Sequence, residues 1–194
     1  MIDSRKELLR VLRYEKRLYG DKSICAFLPR FSEQGMIWKY IILLRKSEYL
    51  YNKKRKVSYL LTYSRLKRIG YKLGFTVPLN VVDEGLLIYH RGNLVINAEH
   101  IGKNFSTAGT AFMVAKGQTN EKPYLGDNIS LGMNVTIIGG VRLASMIAVG
   151  AGSVVTKSFN KENITIAGNP AKIINEKEGS SSWGGWKNHF SNIN

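Results

Sequence analysis

The sequence predicts a mainly β fold: a parallel β-helix preceded by a small α-helical domain. Three observations carry this. Leu125, Leu131, Ile137, Leu143, Val149 and Val155 follow one another at intervals of six. Four residues after each comes a second set, Ile129, Val135, Val141, Ile147, Ser153 and Phe159. Between the two sets stand turn formers, among them Gly126, Asn128, Gly132, Asn134, Gly139, Gly140, Gly150 and Gly152. A helix needs apolar spacing near 3.6 and a half-buried strand needs strict alternation, so a period of six fits neither. It fits hexapeptide units, each one short strand and one turn, with three units closing a triangular coil. The first residue of each unit points inward, and coils stack at the sheet spacing of about 4.8 Å. The repeat alone shows only that neighbouring units bury a shared core. A scaffold, an antifreeze-like surface and a metal-dependent γ-class carbonic anhydrase all stay open at this point.

Residues 1–73 read as helical. Ser4 and Glu7 have the spacing of a capping box. Leu8, Leu9, Val11, Leu12 and Leu18 then form an apolar face. A second helix is expected from about Glu33 to Tyr51, with Met36, Ile37, Tyr40, Ile41 and Leu44 inward, and a third from about Val57 to Leu73. Leu60, Leu61, Leu66 and Ile69 are its expected core. Pro29 with Gly35, and Asn52–Lys56, mark the connections, and Gly74 ends the helical part. Phe75–Val82, interrupted by Pro78, suits a first coil. Val95 and Ile101 stand in phase with the later ladder, so the solenoid is expected to span residues 74–175. From about 108 to 123 the pattern breaks, which predicts an extruded loop of the kind that carries function. The tail, 176–194, combines Gly and Ser with Trp183 and Trp186, which points to flexibility with a docking element.

The chain has 194 residues, 44% of them hydrophobic, and a net charge of +15. That charge is uneven. Residues 1–72 hold 19 Lys and Arg against 6 Asp and Glu, whereas the remainder holds 10 against 8. Such a basic segment suits an anionic membrane surface, an acidic glycan or a polyanionic cofactor, or is simply a solvated face. It has no zinc-finger spacing, RNP motif or helix-turn-helix, which argues against nucleic acid. The lone Cys25 excludes an internal disulfide and suits a reducing compartment. The first 20 residues are charged throughout, and the stretch Met36–Leu44 is too short to cross a bilayer. The expectation is a cytoplasmic protein, with peripheral contact at the inner membrane face as a further option.

Three histidines are candidates for chemistry. His90 lies in Ile88-Tyr89-His90-Arg91-Gly92, just before the regular coils. An alcohol is a poor nucleophile at neutral pH, and histidine has the pKa that a general base needs. His100 reads as structural and His189 as solvent-facing. The three are too scattered to hold one metal, so no metal is expected.

The segments Gly74-Phe75-Thr76-Val77-Pro78-Leu79-Asn80 and Gly85–Gly92, the ladder, and the closing Ala167-Gly168-Asn169-Pro170-Ala171-Lys172 together resemble the serine acetyltransferase-like branch of the hexapeptide-repeat acyltransferases. Within that branch the chain looks most like the O-acetyltransferases encoded with capsule and other surface-polysaccharide genes. The resemblance implies a left-handed β-helix that forms a homotrimer, with active sites between subunits and acetyl-CoA lying along the coils. The family's catalytic histidine falls on His90. The run Gly150–Lys157 resembles the cofactor-binding stretch of sugar acetyltransferases, which implies Ala151, Thr156 and Lys157 as acetyl-CoA contacts, with Met133 and Lys172 in the same set.

Two departures bear on the acceptor. Serine acetyltransferases carry an aspartate three residues before the proline matched by Pro78, and here that residue is Phe75. They carry a histidine before the proline matched by Pro123, and here it is Lys122. The reading from sequence is therefore an acetyl-CoA-dependent O-acetyltransferase acting on a saccharide hydroxyl. Serine O-acetylation and a non-catalytic scaffold are its alternatives. Asp83, Glu84 and Asn80 are the nearby candidates for the partner of His90, and Asp83 is the choice among them.

Overall fold

The computed structural model describes residues 1–19, 32–115 and 120–180. Three helices come first: α1 (Arg5–Leu18), α2 (Glu33–Asn52) and α3 (Lys56–Leu73). Ser4 caps α1 by accepting the Glu7 N–H at 3.1 Å. The Glu7 carboxylate takes the N–H of Asp3 rather than that of Ser4, so the capping box closes one residue early. Ser32 caps α2 in the same way, accepting from Gly35. Gly74 ends α3 in the left-handed region (φ 78°), where an added Cβ would meet the Gly92 carbonyl oxygen at 2.7 Å.

The chain then winds into a left-handed parallel β-helix with three faces. The first face stacks β1 (Phe75–Thr76), β3 (Leu94–Ile96), β6 (Ala111–Val114), β9 (Val135–Ile138) and β12 (Val154–Val155). The second stacks β4 (His100–Ile101), β7 (Tyr124–Leu125) and β10 (Arg142–Leu143). Bridges from Val82 and Phe159 extend that face by a rung at each end. The third stacks β2 (Leu87–Ile88), β5 (Ser106–Thr107), β8 (Ser130–Leu131), β11 (Ala148–Val149) and β13 (Thr165–Gly168). It closes with the antiparallel β14 (Ala171–Asn175). Every residue of both hexad sets from 125 to 159 is buried. Asn104, Asn128, Asn134 and Asn163 hold corners at φ between 55° and 58°, a region that asparagine tolerates better than most residues. The Asn104 side chain donates to Asn128 one coil away.

The structure departs from the sequence reading at several places. Leu94 and Ile96 point inward in β3 and Val95 only half so: Ile96 stands in the register of Met113 and Ile137, and the corner from it to Ile101 is one residue shorter than the hexad, which shifts the phase by one. Residues 111–114 are a strand in full register with β3 and β9, not loop. Ala111 and Met113 fill the core there, and the apolar Phe112 between them hides the alternation. On α3 the inward face is Leu66, Gly70 and Leu73, whereas Leu60 and Leu61 are exposed. Leu9 of α1 is exposed as well. Cys25, Pro29, Trp183, Trp186 and His189 lie outside the described residues.

Helices and coils share one continuous core, from Leu18 and Ile41 through Phe75 to Ala171. A buried ionic knot fixes their relative position. The Arg45 guanidinium donates to Glu15 at 2.7 Å and Glu48 at 3.0 Å, and also to the carbonyls of Val82 and Asp83. Glu15 also accepts the backbone N–H of Gly85 and Leu86. Burial works against the charged guanidinium, but the two carboxylates outweigh it and hold its pKa above the ordinary value. The first coil is thereby bolted to α1 and α2, and the corner after Ile88 is presented at a fixed place.

Candidate active site

His90 occupies the corner between β2 and β3, with its side chain 59% exposed. The start of α2 meets this corner. The Glu33 carboxylate accepts the Arg91 backbone N–H through Oε1 and places Oε2 3.7 Å from Nδ1 of His90. The next residue, Gln34, donates its side-chain amide to the Tyr89 carbonyl. Two consecutive residues of one helix thus hold the backbone on both sides of His90. Glu33 lies in the first turn of α2, where the helix dipole favours an acidic residue. At 3.7 Å this contact is longer than a hydrogen bond, and it puts the carboxylate on the Nδ1 side of the His90 ring.

Asp83 is not the residue beside His90 within the chain. It lies 3.6 Å from His100 Nε2, because the Asp83 N–H pairs with the Ile101 carbonyl and fixes the residue on the second face. Glu84 is held by Arg10 and Lys103, and Asn80 pairs with Asn52. His100 itself lies tilted against Tyr124, whose ring also receives Arg142. Phe75 is buried edge-on against Tyr40 (5.3 Å between ring centres), so apolar packing replaces a carboxylate there. Lys122 is half-buried.

From His90 a column of small corner residues runs along the solenoid. An added Cβ on Gly109 (φ 138°) would meet the His90 carbonyl oxygen at 2.7 Å. One on Gly132 would strike the Ala151 N at 2.6 Å, and one on Gly150 would strike the Ala167 Cβ at 2.8 Å. The Met133 carbonyl accepts the Gly152 N–H, which puts Met133 and Ala151 on successive rungs of this corner. The column from His90 to Gly168 climbs four coil steps, about 19 Å at the sheet spacing. Lys172, the register partner of Ala167, stands beside its far end. A cavity of about 480 Å³ near that end is lined by Lys157, Phe159, Lys161 and Lys172. Lys157 lies over the Phe159 ring at 5.5 Å, and Lys161 is paired with Glu176 at 2.9 Å. Thr156 is exposed beside Lys157. Of the residues expected to hold a cofactor, Met133 and Ala151 therefore share one corner, and Lys157 and Lys172 share one cavity. Glu33, Gln34 and Lys161 were not foreseen. The only hint of the first two was Ser32 ahead of Glu33, the mark of a helix start. Among the described residues no group of His, Cys, Asp and Glu is arranged to hold a metal ion.

A solenoid of this geometry, with a histidine at the head of a small-residue corner, shares its left-handed β-helix fold with solved serine acetyltransferases, and the chain is similar to members of that group in sequence. The chain is 30% identical over 138 residues to serine acetyltransferase 2 of Arabidopsis thaliana, covering 69% of this chain and 42% of that protein. It is 29% identical over 147 residues to the serine acetyltransferase of Buchnera aphidicola, covering 71% and 53%. It therefore spans about half the length of these curated relatives. The crystal structure of the Brucella abortus serine acetyltransferase superposes with a TM-score of 0.68 at 24% identity, over 89% of this chain and 71% of that one. The complex of that enzyme with coenzyme A gives 0.64 at 23% identity, over 90% and 70%. No protein-family model matches the chain. These similarities overturn the saccharide acceptor expected from the sequence, since the relatives and structural neighbours are serine acetyltransferases. Phe75 and Lys122, the two departures behind that expectation, stand in a chain that is similar to a serine acetyltransferase over 69% of its length.

Proposed function

We propose that the protein is an acetyl-CoA-dependent O-acetyltransferase whose acceptor is the hydroxyl of serine. The observation that carries this is the corner column, with an imidazole at its head and lysines near its far end. Glycine and alanine leave the backbone open to an extended thioester arm, and the cavity that Lys157 and Lys172 share supports a role for both in meeting phosphates. His90 Nε2 takes the proton from the acceptor hydroxyl as its oxygen attacks the thioester carbonyl. The tetrahedral intermediate collapses, the carbon–sulfur bond breaks, and the proton passes from His90 to the departing thiolate. Products are the O-acetyl ester and free CoA, with no acyl-enzyme. Glu33 holds the ring and offsets the charge that the imidazole gains, the part that a carboxylate at position 75 cannot play here.

The same reading makes the working unit a homotrimer, with donor and acceptor meeting between subunits. The test is thiol release from acetyl-CoA in the presence of L-serine, with mass spectrometry for O-acetylserine. Serine-dependent CoA release supports the proposal. Release that ignores serine, or none at all, overturns it.

A further inference from the structure

The outward face of α3 has no counterpart in the chemistry above. Val57, Leu60, Leu61 and Tyr71 are 75%, 66%, 58% and 80% exposed. Their spacing of three, one and ten residues puts all four on one side of the helix, opposite the buried Leu66, Gly70 and Leu73. Five of the ten large apolar side chains exposed among the described residues lie between Tyr51 and Tyr71, so this is a patch and not scatter.

Its surroundings are basic. Lys53, Lys54, Arg55 and Lys56 precede the stripe, Arg65, Arg68 and Lys72 flank or interrupt it, and all seven are exposed. No Asp or Glu occurs between Glu48 and Asp83. An interface with a second copy of this face would set these cations against each other without an acid to offset them. A polyanion held by charge alone would have no use for Val57, Leu60 and Leu61. A helix that is apolar at its outermost line and cationic beside it matches a bilayer surface with anionic headgroups. No helix among the described residues is long and apolar enough to cross a membrane, so contact by α3 is along the surface.

We infer that α3 is a membrane-docking element that lies in the plane of an anionic lipid bilayer, with Val57, Leu60, Leu61 and Tyr71 entering the headgroup boundary. Lys53–Lys56, Arg65, Arg68 and Lys72 then face lipid phosphates. Anchoring of this kind holds the solenoid at a membrane without a spanning segment.

The experiment is flotation of the full chain with vesicles of phosphatidylcholine plus phosphatidylglycerol, against phosphatidylcholine alone. Binding is expected to the first and not to the second, and to weaken as salt rises from about 0.1 to 1 M, where the Debye length falls from about 10 to 3 Å. Replacing Val57, Leu60 and Leu61 together by Ser should lower the partition coefficient at least ~10-fold. Reversing Lys53, Lys54, Arg55 and Lys56 to Glu should lower it by more than ~100-fold, since each basic residue near such a surface contributes roughly fivefold. Both variants change exposed side chains only, and an unaltered melting midpoint confirms that they fold. Absence of binding to anionic vesicles overturns the inference. So does a triple Ser variant that binds as tightly as the wild type. A triple Ser variant that changes the oligomer mass, with no vesicle binding by the wild type, assigns the face to a second copy instead.

Discussion

Glu33 reaches His90 across 57 residues of sequence and places Oε2 3.7 Å from the imidazole Nδ1. Its other oxygen accepts the Arg91 N–H, so one carboxylate meets both the ring and the backbone beside it. Removing the acid from a histidine that already has an aligned hydrogen bond can cost about 10⁴-fold. The longer contact here predicts a smaller loss. Glu33→Gln should lower kcat about 10- to 100-fold with KM for acetyl-CoA unchanged, and Glu33→Asp should recover part of it. His90→Ala should fold normally and lose about 10²–10⁴-fold. Full activity in Glu33→Gln, beside an inactive His90→Ala, would leave the base in place and remove its partner.

The solenoid was legible because its signal is long and self-checking. Both hexad sets repeat, and one phase error anywhere between Leu125 and Phe159 would have shown. Legibility ended where local cues no longer choose. Phe112-Met113-Val114 is apolar throughout, so its alternation in β6 is invisible until the strand pairs. On α3 both Leu66 and the Leu60-Leu61 pair are apolar, and only packing on α2 and the first coil selects Leu66. The site shows the same division. His90 and the Gly150–Lys157 run are contiguous motifs, whereas Glu33 becomes relevant only once α2 is laid against the corner. Asp83 looked close in sequence, but the coil turns it to another face.

Near the far end of the corner column, Lys157 and Lys172 line one cavity. A hydrogen bond to a charged group contributes about 1.5–3 kcal/mol. Reversal of both lysines to Glu should therefore raise KM for acetyl-CoA at least ~10-fold while kcat changes little. A donor that lacks the nucleotide phosphates should be used equally well by variant and wild type. Steady-state kinetics with the two donors reads both outcomes, and a fall in kcat with unchanged KM would place the donor elsewhere.

The Arg45 knot sets a stability prediction distinct from catalysis. Arg45→Met leaves Glu15 and Glu48 buried without their cation, which should cost about 3–5 kcal/mol. For a chain of this size that lowers the melting temperature by about 6 °C or more. Combining Arg45→Met with Glu15→Leu and Glu48→Leu removes the stranded charges, and should recover part of the loss. The Gly85 and Leu86 N–H groups then lose their acceptor, so recovery should be incomplete. Denaturation midpoints of the single and triple variants decide this. A single variant within 1 kcal/mol of wild type, on the ~1 kcal/mol scale of ordinary substitutions, would show the knot to be dispensable.

A second carboxylate gives the pH dependence. Burial alone would raise the pKa of Glu84, but Arg10 at 2.6 Å and Lys103 at 3.2 Å outweigh it and hold the group below the ordinary carboxylate range. A folded-state value below the unfolded one means that the folded protein keeps the carboxylate ionised after the unfolded chain has taken up its proton. The stabilisation is thus fully present above about pH 4.3, the unfolded value, and is lost as pH falls through the lower folded value. Glu84→Gln removes the charge while keeping the shape. The urea midpoint of the wild type should exceed that of Glu84→Gln by a constant amount at neutral pH, and the gap should close as the solution is acidified below about pH 4. High salt should narrow the gap at neutral pH, because Arg10 and Lys103 are themselves exposed. A gap that persists unchanged into acid would mean that Glu84 contributes through packing between α1 and the first coils, and not through its charge.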